Sequence, residues 1–223
     1  MRITVIGAAG EVGRRIVAEA AARGHRVTAA GRSPAPPGAH PPGVTFRRAD
    51  AADPAAVALL AVGQDVLVGA TRPAAGAEHE LAGTTRGLLA GAARAGVRLV
   101  LVGGAATLAL PGRGGLTLWE DPSFPAGLRP IARACAEQLR ACLKEEAADW
   151  TYLSPPALLH PGTRTGGYRL GGEELLTGPD GTSAISMEDF AVALLDEVER
   201  PRHRRRRFTV AAGDVPAATG ARG

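Results

Sequence analysis

Two hydrophobic rhythms alternate along the chain from its first residues. Arg2–Ile6 is a short apolar run that a glycine ends, and Val12, Ile16, Val17 and Ala20 then recur on one face through residues 11–23. The first pattern predicts a strand and the second a helix. Gly24 stops the helix, and residues 26–30 supply a second strand, completing a βαβ unit. Beyond a proline-rich loop at 34–42, residues 44–48 read as a third strand, and Asp53 with Pro54 opens a short helix to Leu60. The alternation continues with a strand at 65–70, a helix at 78–95, a strand at Arg98–Val102, a helix at 128–147 and a strand at Trp150–Ser154. Glycine and proline dominate from Pro155 to Gly181, Ser186 caps a helix at Met187–Glu199, and a last strand follows at 208–212. Strands alternating with helices imply a parallel sheet covered on both faces, so the fold class expected is a Rossmann-type, doubly wound α/β fold. At 223 residues, one domain spanning 1–223 is expected. Its segment 155–186 is expected to lie as substrate-side loops over the carboxyl ends of the strands.

Composition narrows the function classes. Hydrophobic residues are 45% and charged residues 22% of the chain, which suits a folded, water-soluble domain. The longest tempting apolar stretch, 87–110, is interrupted by Arg94, Arg98 and several glycines, so no membrane span is expected. Met1-Arg2 leads at once into a strand and the glycine loop with no leader core, and a cytoplasmic location is expected. Cys135 and Cys142, seven apart on one helix face, stand roughly 10 Å apart along the axis, too far for a disulfide. They are expected to be reduced core residues. No His or Cys cluster has metal-ligand spacing, so no metal site is expected.

The net charge of +4 is uneven, with six arginines and one histidine in 200–207. That run lacks interleaved aromatics and falls between a helix and a strand, so a solvated connection is expected and nucleic-acid binding is not.

The chemistry-bearing motif is Gly7-Ala8-Ala9-Gly10-Glu11-Val12-Gly13, which follows a strand, opens a helix and starts a βαβ unit. In that context glycines allow a tight turn, and the backbone N–H groups at the helix N-terminus can approach a pyrophosphate. The candidate dinucleotide site is therefore Gly7, Ala9, Gly10, Glu11, Val12 and Gly13. Specificity falls just after the second strand, where Gly31, Arg32 and Ser33 stand. A carboxylate there would repel a ribose 2′-phosphate and an arginine fork would pair with it, so NADP(H) is favoured over NAD(H); Arg32 as a merely solvated side chain is the alternative. Asp50, after the third strand, is placed either to accept from an adenine amino group or to serve as a turn carboxylate. Gly69 and Ala70 end the fourth strand with little bulk, leaving room for close approach of a dinucleotide.

With Val5-Ile6 and the glycine loop, Val102-Gly103-Gly104-Ala105, 150–157 (Trp-Thr-Tyr-Leu-Ser-Pro-Pro-Ala) and 185–191 (Ile-Ser-Met-Glu-Asp-Phe-Ala), the chain resembles the atypical short-chain dehydrogenases/reductases. The resemblance is to their NAD(P)H-binding, NmrA-like group, which includes NADH-flavin reductase-like proteins and is similar to biliverdin reductase B. It implies that the loop 154–158 passes near the nicotinamide, with Pro155 and Pro156 shaping the pocket, and that Thr107 falls about where a serine hydroxyl helps in relatives. The chain departs from the wider superfamily in lacking a Tyr-x-x-x-Lys pair: its tyrosines are Tyr152 and Tyr168, and its sole lysine is Lys144. Ketone or alcohol chemistry through a tyrosine acid is thus not expected. Ser154 and His160 have no nucleophile elbow around them, which argues against a hydrolase.

Two functions suit these residues. A reductase could pass hydride from NADPH to a flavin, quinone or similar conjugated acceptor, which needs little proton donation from the protein. With aromatics at only 4%, few stacking partners are available, and the candidates are Trp119, Phe124 and Tyr168. Alternatively, a non-catalytic NADP(H)-binding sensor of the NmrA-like type would bind the dinucleotide without turnover.

Overall fold

In the computed structural model, residues 1–33, 38 and 40–213 are described; most of the proline-rich loop expected at 34–42 lies outside them, as does 214–223. The strands are β1 (Arg2–Ile6), β2 (Arg26–Gly31), β3 (Thr45–Arg48), β4 (Val66–Gly69), β5 (Arg98–Val102), β6 (Trp150–Ser154), β7 (Leu158–His160), β8 (Tyr168–Gly171), β9 (Ala184–Ser186) and β10 (Arg206–Ala212). The helices are α1 (Glu11–Ala22), α2 (Pro54–Ala61), α3 (Glu80–Ala95), α4 (Arg129–Leu143) and α5 (Met187–Glu199). Eight strands form one sheet in the order β3-β2-β1-β4-β5-β6-β10-β8, parallel except for β8, which pairs antiparallel with β10. This is the Rossmann-like α/β fold read from the alternation.

The sheet is buried on both faces because its strands carry apolar residues to each side in turn. Ile3 and Val5 of β1 pack with Ile16, Val17 and Ala20 of α1 and with Phe190 and Leu194 of α5. Ile6, with Leu67 of β4 and Leu99 and Leu101 of β5, faces Val57 of α2, Leu88 and Leu89 of α3, and Leu139 and Cys142 of α4. Helix starts follow their caps. Asp53 accepts from the Ala55 N–H (2.8 Å) before Pro54, and Ser186 accepts from the Asp189 N–H (3.0 Å) ahead of two acidic residues that suit the positive end of α5.

Differences from the sequence-based expectation cluster where pairing is long-range. The segment expected as loops at 155–186 contains β7, β8 and β9. β7 and β9 are three residues each and pair with one another, and β8 extends the main sheet against β10. α4 ends at Leu143 instead of 147, with Lys144 as its cap, because the Glu145 carboxylate accepts from the N–H groups of Ala147 (2.7 Å) and Ala148 (3.0 Å) and turns the chain. α3 starts at Glu80, two residues later than expected, and β10 starts two residues earlier, at Arg206.

The run 200–207 is not a uniformly solvated connection. It wraps around Glu197 of α5, which is 4% exposed and accepts from Arg98 Nη2 (2.5 Å), the N–H groups of Arg202 (3.1 Å) and His203 (3.0 Å), and the His203 ring (2.8 Å). His203 also stacks on Phe208, ring centroids 4.2 Å apart, and Arg204 pairs with Asp149. Burial alone would raise the pKa of Glu197, but the bonds from His203, the Arg202 N–H and Arg98 outweigh it and hold the carboxyl below its usual range. A depressed folded-state pKa contributes stability that is complete above the unfolded value and is lost as pH falls through the folded one. Unfolding midpoints of the wild type should therefore drop on acidification below about pH 4, and Glu197→Gln should flatten that dependence. Glu197→Ala should cost about 3–5 kcal/mol in denaturant titration at neutral pH, since it strands the Arg98 guanidinium.

Candidate functional site

The sheet order reverses between β1 and β4, since β2 and β3 extend to one side and β4, β5 and β6 to the other. Open α/β sheets bind ligands in the crevice at the carboxyl ends of the strands at such a reversal. The glycine loop lies there. Gly7 donates to the Ala30 carbonyl of β2 (2.9 Å), and the Ala70 N–H donates to the Ile6 carbonyl (2.8 Å), so the end of β1 is pinned on both sides.

The three glycines of the loop have different reasons to be glycine. Gly7 has φ +88°, and a Cβ there would stand 2.5 Å from the Ala70 oxygen. A Cβ on Gly13 would stand 2.1 Å from the Gly7 oxygen. Both are demanded by the close approach of β1, α1 and β4. Gly10 is exposed, has φ −73°, and its Cβ would meet only the Gly7 oxygen at 3.4 Å, so the fold does not require glycine there. A bare backbone at an exposed N-cap suits approach by a ligand. No side chain caps α1, so the N–H groups of Glu11, Val12 and Gly13, which have no intrahelical acceptor, remain as donors at the positive end of the helix.

The electrostatics of the loop are balanced locally. The Glu11 carboxylate bonds Arg14 (2.7 Å) and Arg15 (2.9 Å), which hold its pKa below the usual range, and Arg15 also pairs with Glu188 of α5 at 2.5 Å. Around the end of β2, Arg32 and Ser33 are exposed. Arg32 Nη1 lies 3.4 Å from Glu80 at the start of α3, and Arg48 of β3 is the register partner of Gly31. Arg48 and Glu80 join Arg32 through the β2–β3 pairing and the α3 start, neither of which marks these residues in the sequence.

Asp50 is exposed, and one of its oxygens accepts from the Ala52 N–H (2.9 Å) in a turn. The absent Cβ of Gly69 faces Leu101 (2.8 Å) and Leu88 (3.0 Å), so its smallness serves the helix–sheet packing, whereas Ala70 touches Gly7 directly. Pro155 and Pro156 are buried immediately after β6, and the next residue, Ala157, donates to Ser183 Oγ (3.2 Å). Thr107 is half-buried in the loop after β5, and its hydroxyl accepts from Arg207 (2.8 Å). These residues all sit at carboxyl ends of strands.

The aromatic residues divide. Trp119 and Phe124 are half-buried in the connection between β5 and α4. Tyr168 is held elsewhere: its hydroxyl donates to Asp196 of α5 (2.6 Å), and its ring packs on the α1–α5 face. Burial, with that hydrogen bond, pushes Tyr168 up to about 12. Tyr152 is wholly buried on β6. It accepts from the Gly104 N–H (3.1 Å), its hydroxyl lies 3.0 Å from Gln138 Oε1, and burial raises it well above the usual tyrosine value. Cys135, half-buried rather than fully buried as expected, lies against Gly104, and burial pushes its thiol up to about 11; Cys142 is buried and reaches about 12. Among the described residues no group of His, Cys, Asp and Glu is placed to hold a metal ion.

A glycine-cradled helix N-terminus at the reversal of a parallel sheet defines a dinucleotide-binding α/β protein. The NAD(P)H-binding family model matches residues 7–201, and the chain belongs to that family. The uncharacterized protein YwnB of Bacillus subtilis is 35% identical over 94% of this chain and 98% of its own. A solved structure from Burkholderia pseudomallei, provisionally named an exported protein, is 38% identical with a TM-score of 0.85, covering 95% of this chain and 99% of that one. SP1627 of Streptococcus pneumoniae, provisionally named an NADH-flavin reductase, is 29% identical with a TM-score of 0.83, covering 95% and 99%. The name of SP1627 agrees with the NADH-flavin reductase-like proteins that the sequence resembles.

The glycine analysis separates binding from folding. Gly10→Ala should leave the thermal midpoint unchanged while weakening dinucleotide binding, and Gly13→Ala should lower both. Fluorescence titration with NADPH beside thermal melts checks this, and an unchanged affinity in Gly10→Ala would contradict the assignment.

Proposed function

We propose that the protein is an NADPH-dependent reductase that passes hydride to a flavin, quinone or similar conjugated acceptor. The observation that carries this reading is the engagement of both tyrosines. Tyr152 is enclosed between Gly104 and α4, Tyr168 is bonded to Asp196, and burial raises the pKa of each, so neither suits the acid a simple ketone requires. A conjugated ring takes hydride without such an acid, because the charge spreads over the ring and solvent supplies the proton. The relative provisionally named an NADH-flavin reductase supports the same acceptor class.

The residues present fit a dinucleotide. Gly7 to Gly13 would hold the pyrophosphate on backbone N–H groups, Pro155 would border the nicotinamide, and a bound dihydronicotinamide supplies the hydride. Arg32 and Arg48 favour the 2′-phosphate form, while Glu80 competes for Arg32. Asp50 retains one oxygen for the adenine amino group. Two free cysteines and dependence on NADPH suit a cytoplasmic setting. Among the described residues no helix is long and apolar enough to cross a membrane. The run 200–207 is not read as a nucleic-acid surface: it has no interleaved aromatics, Arg204 pairs with Asp149 and Arg207 is buried, while Arg202, Arg205 and Arg206 stay exposed.

NADPH oxidation with FMN, riboflavin and quinones, against heat-killed protein, tests the proposal. Saturable turnover is expected; tight NADPH binding with no turnover on any acceptor would favour the redox-sensor alternative. Arg32→Glu should weaken NADPH by about tenfold or more, roughly 1.4 kcal/mol, with little effect on NADH. Glu80→Gln should tighten NADPH, and equal effects on both nucleotides would contradict the phosphate assignment.

A further inference from the structure

The arginine run ends inside the protein. Arg207, 7% exposed, stands on β10 in register with Tyr152 of β6 and reaches into the loop after β5. Its Nη1 donates to the Thr107 hydroxyl (2.8 Å) and to the Thr107 carbonyl (3.1 Å). Its Nη2 pairs with the Glu173 carboxylate and donates to the Glu173 carbonyl (3.5 Å). The two loops so joined are already bonded to each other, Ala109 N–H to the Glu173 carbonyl (3.0 Å) and Leu175 N–H to the Ala109 carbonyl (2.8 Å). The loops therefore have a backbone connection of their own. Arg207 Nε, like that of Arg98, is buried with no partner among the described residues.

What the guanidinium adds is direction. A threonine hydroxyl has one proton and two lone pairs, and a guanidinium can only donate. With one lone pair engaged by Arg207, the Thr107 proton must point away from the guanidinium, and no described residue accepts it. Thr107 thus presents an oriented O–H at the carboxyl end of β5, on the same edge of the sheet as the glycine loop.

We infer that Arg207 is a positioning residue that fixes the Thr107 hydroxyl as a donor to a carbonyl oxygen of the acceptor. The inference rests on the reductase reading and narrows its substrate to acceptors with a carbonyl conjugated to the hydride-accepting atom, as in a quinone or an isoalloxazine. Such an acceptor gains hydride from the dihydronicotinamide, which is left oxidised. The electron pair displaced through the conjugated system collects on the carbonyl oxygen, which Thr107 stabilises by hydrogen bonding until solvent delivers a proton. Thr107 ends unchanged. Hydrogen bonds to an oxygen gaining charge strengthen as the charge develops, so the effect appears in turnover more than in ground-state binding.

The test compares wild type, Thr107→Val, Thr107→Ser, Arg207→Lys and the Thr107→Val/Arg207→Lys double variant. Each is assayed for turnover with 1,4-naphthoquinone and FMN, and titrated with both in the presence of NADP⁺. Thr107→Val should lower kcat at least about tenfold with a smaller change in KM, Arg207→Lys should lower it similarly, and the double variant should be no worse than Thr107→Val. Thr107→Ser should retain most activity, and NADPH affinity should change less than twofold throughout. Losses that multiply in the double variant, or an Arg207→Lys protein with wild-type kcat, would overturn the inference while the reductase reading stood. A wild type without turnover on either acceptor would sink the reductase reading and this inference with it, whereas the two preceding outcomes overturn the inference alone. If circular dichroism shows Arg207→Lys unfolded, Glu173→Gln, which loosens the guanidinium without removing it, replaces it with an expected twofold to threefold loss of kcat.

Discussion

The backbone of Gly7 touches both α1 and β4, and the rest of the site follows from that contact. With Cβ positions at Gly7 and Gly13 falling 2.5 and 2.1 Å from backbone oxygens, strand end, helix start and neighbouring strand meet at a separation only bare backbone permits. This closeness aims the N-terminus of α1 over the crevice between β1 and β4. It also leaves no room for side chains at Gly7 and Gly13, so what the loop offers a ligand is N–H groups and the helix dipole. Charged side chains are consigned to the periphery, with Arg14 and Arg15 neutralising Glu11 and Arg32 and Arg48 standing at the ends of β2 and β3.

A second layer of charge ties the segment after β7 to the same helix. Arg15 pairs with Glu188, whose other oxygen accepts from the Gly162 N–H (2.8 Å); Arg164 pairs with Glu19; and Asp189 accepts from the N–H groups of Thr165 and Gly166. The stretch after β7 is therefore clamped to α1 and α5 rather than free over the sheet. Because α1 begins at the glycine loop, that loop and the segment after β7 share one support.

Much of this was legible from residue patterns, for physical reasons that can be named. Ile3, Val5, Ile16 and Val17 declare strand and helix by local periodicity, and the caps Asp53 and Ser186 act within three residues of themselves. β7, β8 and β9 were hidden because three- and four-residue strands are stabilised by partners distant in sequence, and glycines dilute their pattern. The glycine loop was readable, but not the different reason each glycine has, which depends on Ala70 lying against Gly7. Tyr168 suggested a stacking ring until Asp196 claimed its hydroxyl. Arg207 looked like one more cation in a polar run, because only the pairing of β10 with β6 carries it indoors to Thr107.

The chain meets nearly all its need for positive charge with arginine, and Lys144 is its only side-chain amine. That residue is exposed at the end of α4, just before β6 begins, and so on the edge of the sheet opposite the glycine loop. Side-chain acylation thus has one address, remote from the crevice. Tethering the protein to a surface through that amine would leave every copy with its binding edge turned toward the solution.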